Sequence, residues 1–467
     1  MQLINSLSTT TLNSQQQYLE KFIARYTNKT QTSKQLTQAY RSVLADRRGS
    51  AGFRQTIKEI VYPIIGKYAS GSKIWDIDGN EYIDLVMGFG VNLLGHNPAF
   101  IKEAIQERLE QGIHIGPQSD LAGEVAQLFC EITGMERVTF SNTGTEAVMT
   151  ALRLARATTG RPKIVMFADS YHGHFDGTLV KRQKLDDNLV VVPSFSGVLP
   201  NVAQDVLVLD YGDFKSLELI KAYKHELAAV LVEPIQDFRP DIQPREFLKQ
   251  LREITKESGI ALIFDEILTG FRIHLGGAQA WFGIEADIAT YGKIVGGGLP
   301  IGIIAGKATY MDRIDGGMWS YGDASFPEVE TTFFAGTYCK HPLAMAAARA
   351  MLNYLKSQGN ALQEKLNGRT SQFVETLNTY CQEDGVPIRL VNCGSMFNYS
   401  SVGNSSASSD SSSENMDLIF YHLLNRGVFI LPSGGLLSTA HTNEDIEYII
   451  QAVKDSVKEL RESGFLP

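Results

Sequence analysis

Between about residues 120 and 310, short unbroken apolar runs alternate with stretches of helical periodicity, and this alternation restricts the fold more than any other feature. The runs lie at 138–140, 164–167, 190–192, 206–209, 229–232, 261–264, 288–290 and 301–305, with helical stretches at 145–157, 214–223 and 244–258. A strand that is apolar at every position is buried on both faces. The pattern therefore predicts an α/β fold with a mostly parallel sheet between helices. In such sheets ligands collect beyond the carboxyl ends of the strands, so the loops after each run are where chemistry is to be sought.

At 467 residues the chain exceeds one ordinary core, which predicts more than one lobe. Residues 1–60 read as a helical arm or linker, 61–115 as the first part of a smaller domain and 116–345 as the large domain. Residues 346–467 return to the smaller α+β domain. In the arm, Tyr18, Leu19, Phe22, Ile23 and Tyr26 recur at helical spacing and make one apolar face. That face either folds over the body of the protein or serves as a docking or linker segment. Alternation around Asp78-Gly79-Asn80 predicts a β-hairpin over 71–85, followed by a helix at 97–111. Further helices are expected at 342–358, 362–382 and 444–462. Residues 401–415, rich in serine and nearly free of apolar side chains, are predicted to be a mobile loop, because they bury too little to offset their ordering entropy.

A formal net charge of -9 argues against a nucleic-acid partner, which would need a basic face. No apolar stretch approaches the ~18 residues of a membrane span. Cys130, Cys339, Cys381 and Cys393 form no CxxC pair and no metal spacing, so no metal is expected. Scattered thiols and the absence of a secretory pattern at the N-terminus predict a cytoplasmic protein.

Four segments carry candidate chemistry. In GIALIFDEILTGFR a buried strand ends at Asp265, where a carboxylate is either a helix cap or a functional group that needs compensating donors. In TYGKIVGGGLPIG, Lys293 follows another strand among apolar residues and glycines. Desolvation there favours the neutral amine, which can attack an aldehyde. FSNTGTEAVMTALRLAR runs from a strand through Thr143, Gly144 and Thr145 into a helix, whose free amides and dipole make an anion site, although capping explains Thr145 equally well. ADSYHGHFDG brings Tyr171 and His172 after a fourth strand, either to cover a flat ligand or to pack a turn. A lysine for an imine, an acid, a phosphate cradle and an aromatic lid together predict a pyridoxal 5'-phosphate site.

VEPIQ, LIFDEILTGFR, YGKIVGGGLPIG and FFAGTYCKHPLAMAAA, in that order, resemble the signatures of class III aminotransferases of pyridoxal-phosphate fold type I, over roughly residues 62–462. The resemblance implies a seven-stranded, mostly parallel sheet in the large domain and pyridoxal 5'-phosphate cycling through pyridoxamine 5'-phosphate. It makes Lys293 the cofactor-bearing lysine and Asp265 the partner of the pyridine nitrogen. Thr143, Gly144 and Thr145 would hold the phosphate, and Tyr171 and Ile267 would lie on opposite ring faces, with His172 beside them. Glu233 and Gln236 would lie near the 3'-oxygen. Thr337 would complete the phosphate site of the neighbouring subunit, which implies a homodimer.

Within the family the chain looks most like aminotransferase domains of hybrid polyketide/nonribosomal-peptide synthetases. SKQLTQAYRSVLADRRGSAGFRQTIKEIVYPI and HLGGAQAWFGIEADIATYGK carry that likeness. It implies transfer from glutamate or glutamine to the β-keto position of an acyl chain on an acyl carrier protein. The related glutamate-1-semialdehyde aminomutase has a glutamate-bearing loop between its Pro-Ser and Ala-His-Thr elements. Here that stretch is PSGGLLSTAHT, shorter and without an acid. An aminomutase or an ω-aminotransferase on a free substrate is the alternative, and an inactive docking or scaffold module the remote one.

Overall fold

The computed structural model describes residues 2–185, 188–401 and 411–466. Seven strands form the central sheet: β1 (Arg137–Ser141), β2 (Lys163–Phe167), β3 (Val206–Leu209), β4 (Leu227–Val232), β5 (Ala261–Asp265), β6 (Ile288–Tyr291) and β7 (Gly302–Gly306). Their order is β1-β7-β6-β5-β4-β2-β3. Strand β5 runs parallel to β4 and β6, and β2 runs parallel to β4 and β3. Only β7 runs against its neighbours β6 and β1. Every residue of β4 and β7 is buried, as expected where helices cover both faces. Gly144–Thr159 lies on one face, and the amphipathic helix Arg245–Ser258 covers β5 from the other.

One predicted run does not join this sheet. Val190, Val191 and Val192 belong to Asn188–Pro193, which pairs antiparallel with Val180–Leu185 as a separate two-stranded ribbon. These valines are only partly buried and Leu189 is exposed, so the run lacks the two-sided cover of a central strand. Pairing with the segment adjacent in sequence closes a smaller loop than insertion into the sheet would.

The predicted hairpin is present. Lys73–Asp76 pairs antiparallel with Glu81–Asp84, and the Asp76 carboxylate accepts from the Asn80 amide at 2.8 Å across the turn. Val428–Phe429 adds to its far edge in parallel, so segments distant in sequence share one sheet. A three-stranded sheet of Ile388–Cys393, Met396–Ser401 and Gly434–Leu436 stands beside it. The serine-rich stretch divides in two. Residues 402–410 lie outside the described residues, whereas Ser411–Asn425 is helical, contrary to the loop expected through residue 415. The apolar residues that stabilise this helix begin beyond its serines, at Leu418 and Ile419, both buried.

The N-terminal arm folds over its own chain. Leu19, Phe22 and Tyr26 of Gln2–Lys29 are buried, and Phe22 stacks on His422 at 4.3 Å with an interplanar angle of 7°. The Tyr18 hydroxyl donates to Glu459 at 2.7 Å. Asp78, from the hairpin turn, accepts the Thr32 and Ser33 amides at the start of Gln31–Tyr40, at 2.6 and 3.0 Å. No helix among the described residues is long and apolar enough to cross a membrane.

Candidate active site

The parallel strands deliver their carboxyl ends to one place. Asp265 is the last residue of β5, Glu233 follows β4, and Thr143 and Lys293 each stand two residues beyond β1 and β6. Tyr171 and His172 follow β2. These side chains, with Gly144, Thr145 and Ile267, line a single cavity of about 440 Å³.

Asp265 is 5% exposed, and its burial is compensated on both oxygens. Oδ2 lies 2.7 Å from Nδ1 of His172, while Oδ1 accepts from the Ile267 amide and the Thr290 hydroxyl, each at 3.2 Å. His172 is itself buried, and its Nε2 has no partner among the described residues. Two donors and a ring fix this carboxylate in one orientation at the floor of the cavity.

Lys293 opens a short 3-10 turn with φ +41°, a left-handed conformation that costs a side-chain-bearing residue about 1–2 kcal/mol. Burial pushes its amine below the ordinary lysine range. Among the charges acting on it, Asp237, Glu233 and Asp265 oppose that shift and Arg272 reinforces it. A lysine held this way is a readier nucleophile and proton carrier than a solvated one.

The helix Gly144–Thr159 begins at the cavity wall. Its cap Thr143 accepts from the Glu146 amide at 3.1 Å, and the Glu146 carboxylate reaches back to the Asn142 amide at 2.6 Å. The amides of Gly144 and Thr145 have no acceptor among the described residues, so two donors and the positive end of the helix face the cavity. Gly144 allows Ile267 to close in: a Cβ there would stand 3.0 Å from the isoleucine Cδ1. The Thr145 side chain fits equally tightly against Gly173, whose φ of +79° also suits glycine.

Glu233 accepts the Tyr171 amide at 3.1 Å and the Asp237 amide at 2.9 Å. Burial, with Asp265 nearby, raises its carboxyl to about 8, so near neutrality it is mostly protonated. Next to Asp265, Glu266 points away from the cavity, accepts from Thr269, Ala278 and Gln279, and is raised by burial to about 7.

Two expected residues are not part of this cavity. Gln236 is buried, but its amide donates to the Ala168 carbonyl at 2.7 Å and does not line the space. Thr337 is exposed on the surface of its own subunit. Conversely, Asp237, Val91 and Leu268 line the cavity without having been singled out by motif. Asp237 directly follows VEPIQ and carried a signal in its position, while Val91 reaches the site only through tertiary folding. No cluster of His, Cys, Asp and Glu among the described residues is arranged to hold a metal.

The cavity suits a flat, phosphorylated heteroaromatic aldehyde. Free helix amides meet an anion, a buried carboxylate meets a ring nitrogen, and a desolvated amine meets a carbonyl. The fold and site together define a pyridoxal-phosphate-dependent transferase of fold type I. The chain belongs to the aminotransferase class-III family, which matches residues 56–454. It is 37% identical over 403 residues to glutamate-1-semialdehyde 2,1-aminomutase of Alkaliphilus oremlandii, covering 85% of this chain and 91% of that protein. An ω-transaminase from Sphaerobacter thermophilus superposes with a TM-score of 0.81 at 30% identity, covering 92% of this chain and 98% of that one. A β-phenylalanine aminotransferase from Variovorax paradoxus gives 0.79 at 28% identity, covering 97% and 99%. The chain is thus a pyridoxal-phosphate-dependent aminotransferase.

Proposed function

We propose that this aminotransferase passes an amino group from an amino-acid donor, glutamate or glutamine, to the β-keto group of an acyl chain tethered to a carrier protein. The observation that carries this reading is the apolar wall that Leu268, backed by Leu436, gives one side of the cavity. Leu268 lines the space, and Leu436 stands behind it, with Gly90 so close that a Cβ there would lie 2.7 Å from Leu268 and 3.5 Å from Leu436. The segment holding Leu436 is tied down on both sides: Gly434–Leu436 pairs with Met396–Ser401, and the Leu436 amide donates to the Leu85 carbonyl at 2.7 Å. A buried, doubly bonded strand therefore lies within residues 432–442, the stretch that the sequence resemblance sets against the aminomutase's glutamate-bearing loop. An uncharged chain suits that wall better than a small carboxylated aldehyde does.

Pyridoxal 5'-phosphate, when bound, supplies the aldehyde that condenses with amines and a ring that takes up electrons from the substrate carbon. In this reading Lys293 anchors the cofactor and its freed amine moves the proton at the substrate carbon. Asp265, held by His172 and Thr290, keeps the pyridine nitrogen protonated. Gly144 and Thr145 bind the phosphate through their amides, with Thr143 capping the same helix. Ile267, pressed on Gly144, and Tyr171 flank the ring. Glu233, mostly neutral, has a proton to offer the 3'-oxygen, and Gln236 fixes the turn behind it. Thr337 of the partner subunit completes the phosphate site in a homodimer. Supporting that dimer, Thr337 lies on a surface where Met318, Tyr321, Phe333 and Tyr338 are all exposed.

The second reading is a glutamate-1-semialdehyde aminomutase, and the 37% identity to such an enzyme favours it. One experiment separates them. The purified holoenzyme is offered glutamine or glutamate with a β-ketoacyl pantetheine thioester, and separately glutamate-1-semialdehyde. Release of a 2-oxo acid with an aminated thioester supports the first reading. Isomerisation of the semialdehyde without a 2-oxo acid establishes the second and removes the first.

A further inference from the structure

Asp237 enters the cavity beside residues that the transfer reaction uses, yet that reaction assigns it no task. Its backbone is held from both directions. The amide donates to Glu233 at 2.9 Å, and the carbonyl accepts from the Asn398 side chain, which bridges to the three-stranded sheet. The preceding residue is anchored by Gln236 on the Ala168 carbonyl, and Gln236 and Arg239 form an isolated antiparallel bridge that closes the turn. The loop therefore cannot easily swing its acid away.

No group among the described residues donates a hydrogen bond to the Asp237 carboxylate, although the residue is half-buried in the cavity wall. Buried Arg272 lies within electrostatic range behind it. Its guanidinium, however, is committed to the Ser395 hydroxyl at 2.9 Å and to the Gly90 carbonyl, and no ion pair with Asp237 forms. Of the acids acting on the Lys293 amine, Asp237 acts most strongly. Once the lysine is engaged by the cofactor, that carboxylate faces whatever fills the remaining space.

We infer that Asp237 is a specificity-determining residue: its unpaired carboxylate admits substrates whose far end is neutral or donates a hydrogen bond, and turns away those that bring a further carboxylate there. The physical basis is that two like charges in a partly desolvated cavity repel more strongly than in water, while an amide or hydroxyl gives the acid the donor it lacks. This rests on the amino-transfer reading and narrows its substrate class to uncharged acyl chains and mono-anionic donors.

The test uses the holoenzyme and unreactive acids that lack an amine: glutarate, its mono-amide glutaramate, and butyrate, with binding read by calorimetry. The native protein should bind glutaramate and butyrate more tightly than glutarate. Asp237→Asn should strengthen glutarate binding by about tenfold, or ~1.4 kcal/mol, while butyrate changes less than about twofold. Equal binding of the three acids by the native protein, or an unchanged ranking in a folded Asp237→Asn variant, overturns the inference. If the variant does not fold, the native ranking alone decides. Failure of the underlying reading has a different signature: an amino donor such as glutamine leaves the cofactor's visible absorption unchanged, whatever the acids do.

Discussion

His172 and Asp265 are joined at 2.7 Å between Nδ1 and Oδ2, and the other ring nitrogen of the histidine is buried without a partner among the described residues. In the proposed mechanism the histidine acts on the cofactor through this carboxylate. His172→Ala removes the closest donor from a buried acid, at a cost of about 1–3 kcal/mol. Cofactor retention should fall roughly tenfold, and His172→Asn, which keeps a donor, should restore part of it. Equilibrium dialysis of the cofactor, with the pH profile of its absorption, checks this; unaltered retention in the alanine variant would exclude the role.

In the proposed mechanism Lys293 is the position on which transfer depends. Its amine is depressed by burial and sits on a strained left-handed turn that holds it in the cavity. Lys293→Ala should lower amino transfer by roughly 10²- to 10⁴-fold, the range expected for losing a positioned proton carrier. Borohydride reduction of the native holoenzyme followed by peptide mapping should place the adduct on Lys293. Turnover at the native rate in the variant would sink the assignment.

The central sheet was legible because strands covered on both faces need apolar residues at every position, as in β4 and β5. The same logic misplaced Val190–Val192, whose run is short enough to serve a half-exposed ribbon. The placing of Asp265 and Lys293 at strand ends beside one cavity was legible because strand ends are where α/β sheets gather ligands. Asp237 had only its place directly after VEPIQ to mark it, since a polar residue after a proline turn looks like any loop residue until its lack of a donor is seen. Val91 was beyond reach for another reason: it arrives from the hairpin segment, and no local pattern reports which cavity a distant segment will border. Composition alone hid the helix at Ser411–Asn425, whose stabilising contacts lie downstream of its serines.

The raised carboxyl of Glu233 has a consequence for stability. With its value near 8 in the fold against 4.5 otherwise, the native state retains a proton that the unfolded chain releases. Stability from this group is therefore full below about 4.5 and is lost as pH rises toward 8, at about 1.4 kcal/mol per pH unit and levelling off above. Glu266, raised to about 7, adds a loss of the same sign over a shorter window. Thermal melts from pH 5 to 9 should show a falling midpoint that Glu233→Gln makes shallower. The variant should also start lower, because one amide oxygen cannot accept from both the Tyr171 and Asp237 amides. An identical slope in the two proteins would count against the neutral carboxyl.

Shared sites in a homodimer predict complementation between two defective chains. If Thr337 serves the partner subunit's site, a mixed dimer of Lys293→Ala and Thr337→Ala chains concentrates both defects in one site and leaves the other intact. The mixed dimer, purified from co-expressed chains, should then show about half of native activity, although each homodimer is impaired. Activity no greater than the sum of the separate variants would place Thr337 outside the neighbouring site.

The arm at the N-terminus behaves as part of the core, and its effect should be on folding rather than on chemistry. Phe22 is 2% exposed and stacks face to face on His422, whose burial depresses the imidazole to about 3 and keeps it neutral. A neutral ring against Phe22 avoids the cost of burying a charge, and the Tyr18 hydroxyl sits 3.2 Å from its Nε2. Phe22→Ala opens a void there at a cost of about 3–5 kcal/mol. Melting should drop by several degrees, while the KM for the amino donor stays unchanged because no residue of the helix lines the cavity. A variant with native melting and an altered KM would instead make the arm a substrate-facing element.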